Sequence, residues 1–124
     1  MIYGVGVDLI EVARVAKQIE TDNRFKERIF TKKEITYCES KKYKAENYAA
    51  RFAAKEAFFK ALGTGWRDGM VFIEVEIIND ELGKPKIFLS GKTKQIAENK
   101  GINNIHVSLS HIRDFASSIV TLEK

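Results

Sequence analysis

The stretch KAENYAARFAAKEAFFKAL, Lys44 to Leu62, constrains the fold more than any other part of the chain. It contains no proline, is rich in alanine, and is followed by Gly63, so a five-turn helix with a glycine C-cap is the natural solution. With Arg51 at zero on a wheel of about 100° per residue, Lys55 falls near 40° and Asn47 near −40°, a plausible wet face. Glu56 and Lys60 fall near 140° and 180°, among Ala49, Ala53 and Gly63. A charge on such a face is costly unless it is paired or holds a ligand. Glu ahead of Lys at i,i+4 is also the favoured order for a plain helix pair, so both accounts stand at this point. Gly63-Thr64-Gly65 reads equally as a helix stop or as a place where a ligand meets bare backbone.

The rest of the chain suggests an α+β fold, a largely antiparallel sheet packed against this long helix and shorter ones. Ile2–Ile10 alternates as a strand, with Tyr3, Val5, Val7 and Leu9 on one face. A helix is expected from Glu11 to about Asp22, and another after the capping box Thr31-Lys32-Lys33-Glu34. Val71–Asn79 and Pro85–Leu89 read as strands about a turn at Asp80–Gly83, and Ser90 as the cap of a helix ending near Gly101. Ile105–Ile112 and Phe115–Leu122 form a final hairpin joined at Arg113-Asp114. At 124 residues, with no repeat or Pro/Gly-rich linker, one domain spanning 1–124 is the simplest account. Asp8 shares its strand face with Gly4 and Gly6, which leaves room beside a carboxylate. Asp8-Leu9-Ile10-Glu11 also fits a helix cap.

Composition removes several classes. No apolar run reaches membrane-spanning length, and a single cysteine, Cys38, rules out an internal disulfide and any multi-cysteine metal site. A reduced, cytoplasmic setting is expected. Gly4-x-Gly6 meets Leu9 where a dinucleotide fingerprint needs its third glycine. Gly91-Lys92-Thr93 lacks the first glycine of a P-loop, with Lys86 in its place. The two histidines, His106 and His111, cannot make a histidine-rich metal site. The net charge of +4 is concentrated between Glu11 and Lys44, where ten Lys or Arg face six Asp or Glu. That reads either as a solvated helical face or as a surface for an acidic partner: nucleic acid, anionic membrane, phosphorylated ligand or acidic protein. A nucleic-acid-binding module would explain the charge but not Asp8 and Glu56, and its interleaved aromatics are thin here.

Four stretches taken together resemble one family: GVGVDLIEVARV (4–15), RFAAKEAFFKALGTG (51–65), NDELGKPKIFLSG (79–91) and, more loosely, HVSLSHIRDFASSIV (106–120). In order and spacing they are similar to holo-acyl-carrier-protein synthase, the small bacterial 4′-phosphopantetheinyl transferase. The resemblance implies transfer of phosphopantetheine from coenzyme A to a serine of apo-acyl carrier protein, releasing adenosine 3′,5′-bisphosphate, in support of fatty acid biosynthesis. It implies Mg²⁺ held by Asp8 and Glu56, which with Lys60 are the catalytic set. Coenzyme A would meet Arg51, Lys60, Gly63, Gly65, Pro85, Ser110 and His111. Arg14, Arg24 and Arg28 would meet the acidic carrier protein. A homotrimer with active sites between subunits is implied, with neither nucleic acid nor membrane as partner. The serine needs a base, and Glu56, Asp8 or a water held by the metal are all open.

Overall fold

A computed structural model describes residues 1–65 and 69–124 of the chain. Strand β1 (Ile2–Glu11) runs directly into helix α1 (Val12–Thr21), followed by α2 (Phe25–Ile29), α3 (Lys32–Glu39) and the long α4 (Lys44–Leu62). A 3₁₀ turn (Phe72–Glu74) precedes the hairpin β2 (Val75–Asn79) and β3 (Pro85–Leu89). Helix α5 (Gly91–Asn99) and the hairpin β4 (Asn104–His111) and β5 (Phe115–Glu123) complete the chain. The three-stranded antiparallel sheet has the order β1-β5-β4, and β2-β3 form a separate two-stranded sheet. The α+β expectation holds, and α4 has the predicted bounds, with Gly63 at φ 85° as its left-handed cap.

The packing of β1 on α4 positions everything else. A Cβ on Gly6 would overlap the carbonyl oxygen of Ala57 and lie 2.6 Å from the Ala61 nitrogen; one on Gly4 would overlap the Ala61 carbonyl oxygen. The glycine face of β1 therefore lies directly on the alanine face of α4, where Ala53 and Ala57 are fully buried. Without side chains between them, the two backbones approach closely and Asp8, next on the same strand face, is carried to the helix. The space beside Asp8 is thus filled by the helix.

Several features differ from the expectations. The supposed wet face of α4 is dry: Arg51 is 2% and Lys55 0% exposed, each with a distant partner. Lys60, by contrast, is exposed and Glu56 only half-buried. The apolar face of β1 is the outer one, with Val5 54%, Val7 58% and Leu9 67% exposed. Asp8 is no helix cap, because β1 continues through Glu11. Ser90 precedes α5 without a capping side-chain bond. Glu74 does that work, accepting from the Lys92 and Thr93 N–H groups and the Thr93 hydroxyl. Residues 72–74 accordingly form a 3₁₀ turn where a strand is expected.

Candidate active site

Asp8, Glu56 and Lys60 converge where β1 lies on α4. Lys60 Nζ donates to Asp8 Oδ1 at 2.9 Å and to the Val7 carbonyl at 3.1 Å. Glu56 lies close enough to feel both: burial pushes its carboxyl above the usual range, the Asp8 charge adds to this, and Lys60 and Arg14 oppose it. The two carboxylates repel each other, and Lys60 and Arg14 supply the positive charge that opposes this. Among the described residues no three of His, Cys, Asp and Glu form a metal cage. Mg²⁺, however, commonly takes one or two carboxylates and completes its shell with waters and substrate phosphates, so this donor set fits it.

Beside Glu56, between α1 and α4, lies a small pocket of about 120 Å³ lined by Ile10, Arg14, Gln18, Phe25, Phe52 and Glu56. Its aromatic floor has no local signature in the sequence, because Phe25 and Phe52, whose ring centres lie 5.9 Å apart, come from different helices. Arg14 and Arg24 are exposed near this end. Arg28 is exposed too but paired with Asp22 at 2.7 Å.

A second site lies on the opposite side of α4. Arg51 stacks its guanidinium 4.0 Å from the Tyr37 ring centre and donates from Nη2 to Asn79 Oδ1. Its buried Nε has no partner among the described residues. A buried donor left open beside a cleft is a place for an acceptor-rich ligand. The cleft, about 180 Å³, is lined by Arg51 with Asn47, Asn79, Gly83, Pro85 and His111. A larger one of about 420 Å³ shares Arg51, Asn79 and Gly83 and adds Lys33 and Lys41. His111 is held there by Glu46, 2.9 Å from Nδ1. Ser110 does not join it: consecutive residues of β4 face opposite ways, and Ser110 lies on the outer sheet face. At Gly63 (φ 85°) and Gly65 (φ 63°) nothing among the described residues lies within 4 Å of where a Cβ would stand. Asn79 and Glu46 are contributions the sequence does not announce, since their partners lie 28 and 65 residues away. Cys38 is fully buried and its thiol is pushed up to about 12 by burial, so it is chemically quiet.

Residues 4–120 match the model of the 4′-phosphopantetheinyl transferase superfamily, and the chain belongs to that superfamily. Within it, the chain is similar to the holo-[acyl-carrier-protein] synthase of Geobacter sp. (strain M21), 47% identical with both chains covered completely. Among solved structures it is similar to holo-[acyl-carrier-protein] synthase from Neisseria meningitidis, with a TM-score of 0.91, 35% identity and both chains fully covered. It also resembles the Bacillus anthracis synthase in complex with CoA (3′,5′-ADP), with a TM-score of 0.81, 37% identity, and 98% and 96% of the two chains covered.

Proposed function

We propose that this chain, as one transferase domain over 1–124, moves 4′-phosphopantetheine from coenzyme A to a serine of an acidic apo-acyl carrier protein. The convergence of Asp8, Glu56 and Lys60 carries this proposal. The serine oxygen forms a bond to the phosphorus bearing pantetheine, and the bond from that phosphorus to the bridging oxygen breaks. Adenosine 3′,5′-bisphosphate leaves, and the serine proton passes to a base. Asp8 and Glu56 would hold Mg²⁺, which when bound supplies Lewis-acid neutralisation of the phosphate charge. Lys60, exposed beside them, adds a cation for the transferring group and the leaving bisphosphate. Of the chain's own carboxylates, Glu56 is the better placed to take the proton, because it lines the pocket by Arg14 while Asp8 is engaged by Lys60. Gly63 and Gly65, with no side chain of their own and no described residue against them, would let pantetheine approach the backbone beyond Lys60.

The Arg51 cleft suits the adenosine bisphosphate end, with the free Nε of Arg51, Pro85 and His111 around it. It lies about 140° around α4 from Glu56, which favours a site joining the two sets from different copies. A second copy supplies the missing half. The outer sheet face favours such assembly, since Val5, Val7, Leu9 and Ile119 leave an apolar patch in water. We read the assembly as a homotrimer with intersubunit active sites, in which Ser110, on that outer face, would turn toward the neighbouring copy. Membership of the same family supports a cytoplasmic role in fatty acid biosynthesis. Among the described residues no helix is long and apolar enough to cross a membrane.

The test is the intact mass of an apo-acyl carrier protein after incubation with this protein, coenzyme A and Mg²⁺. A gain of about 340 Da, abolished by EDTA, is expected from one added phosphopantetheine. No gain with several carrier proteins would refute the assignment. The KM for carrier protein should also rise with salt, because exposed charges are screened. Arg14→Ala should raise it more than Arg28→Ala, since Arg28 already spends its charge on Asp22. Equal effects of the two would place the contact elsewhere.

A further inference from the structure

Lys55 and Glu34 form a fully buried ion pair that the chemistry above does not use. Both side chains are 0% exposed, with Nζ 2.9 Å from Glu34 Oε1. Every donor and acceptor is engaged. Lys55 also donates to the Phe72 carbonyl at 3.1 Å and to the Val75 carbonyl. Glu34 accepts the Thr31 N–H at 2.9 Å on Oε1 and the Ile77 N–H at 3.0 Å on Oε2. Burial pulls the Lys55 ammonium below its ordinary pKa, and Glu34 opposes that. Such a pair contributes little net stability compared with apolar residues of the same size. Its geometry is what is unusual: it ties α3, α4 and the entry to β2 at one point.

What it ties down matters because, among the described residues, the β2-β3 hairpin shares no strand pairing with the three-stranded sheet. A two-stranded hairpin has little stability of its own and takes its position from what it packs on. Val75 and Ile77 are buried, but apolar contacts fix depth better than register, being non-directional. The hydrogen bonds to Val75 and Ile77 fix register. Two residues beyond Ile77 stands Asn79, which holds Arg51, and the turn after it brings Gly83 and Pro85 to the same cleft. Arg51 is one helical turn before Lys55 on α4.

We propose that the Lys55–Glu34 pair is the register pin of the Arg51 cleft, making both residues positioning residues for the adenosine bisphosphate end of coenzyme A. The pin rests on the assignment of that cleft to the nucleotide. It acts through Asn79, Gly83 and Pro85 and touches no substrate.

The experiment compares wild type with Glu34→Gln and with the double variant Glu34→Gln/Lys55→Met, which removes both charges together. Binding of adenosine 3′,5′-bisphosphate is measured by calorimetry, together with steady-state kinetics and amide exchange at Ile77 and Asn79. The double variant should fold cooperatively and lose exchange protection at 77 and 79. It should bind the bisphosphate roughly tenfold more weakly and raise the KM for coenzyme A by a similar factor, as sites need sub-ångström placement. Its kcat and its KM for carrier protein should stay within about twofold of wild type, because the Glu56 face is untouched. A merely structural pair would lower the melting point and the active fraction while leaving the KM for coenzyme A alone, and that result overturns the proposal. If the double variant does not fold, Glu34→Gln alone decides by the same split. Failure of wild type to bind the bisphosphate at all would instead overturn the nucleotide assignment.

Discussion

Gly6→Ala should lower the stability of the protein by at least about 3 kcal/mol, the upper end of what overpacking costs, and its melting point by about 10 °C or more. The added methyl must stand where the Ala57 carbonyl oxygen is, and 2.6 Å from the Ala61 nitrogen. Neither is a side chain that can swing aside. Both belong to the backbone of α4, most of whose residues are buried. The strand must therefore lift off the helix, and its partner β5 must follow through the register that pairs Gly6 with Val120. Asp8 lies two residues further along and would lose its 2.9 Å contact with Lys60, so transferase activity should fall with stability. Thermal denaturation followed by circular dichroism checks the first effect. An unchanged melting point would mean that β1 and α4 are not in backbone contact.

The sequence makes the position of that contact half legible. Gly4 and Gly6 mark one face of β1 as small, and the alanines of α4 mark a helix face as small. Nothing local says that the two faces meet. The bounds of α4 are readable because propensity and the Gly63 cap agree with tertiary packing. The environment of Arg51 and Lys55 is not. On a wheel, charges are assigned to water, and only partners 28 and 21 residues away overturn that. Glu34 is visible as the end of a capping box, and that role is real. Its remaining acceptor capacity, which takes Lys55 and Ile77, has no local signature. Helix α2 is five residues long, too short for periodicity to show. Asp8, Glu56 and Lys60 are recognisable through family resemblance, but their convergence depends on the close approach of β1. The split of the remaining residues between two sides of α4 follows from the wheel once Arg51 is known to line a cleft.

That split leads to the second large effect. Glu56→Gln should reduce kcat/KM by roughly 10³ or more, since it removes one of the two carboxylates proposed for Mg²⁺ and the best-placed proton acceptor. Folding should be unaffected, because Glu56 is only half-buried and its carboxyl is already pushed toward neutrality. Arg51→Met, which keeps the bulk against Tyr37 but removes the charge, should also cripple the enzyme, through the other side of the helix. Neither variant alone has an intact site if each site joins the Glu56 face of one copy to the Arg51 cleft of the next. Co-assembled at equal amounts, they should recover activity. In a closed ring of randomly mixed copies, about one site in four pairs a sound Glu56 face with a sound Arg51 cleft. Activity near a quarter of wild type, appearing only after the subunits are mixed, is therefore the expected result. If both halves of the site belonged to one chain, no mixture could ever contain an intact site, and activity would stay at the level of the separate variants.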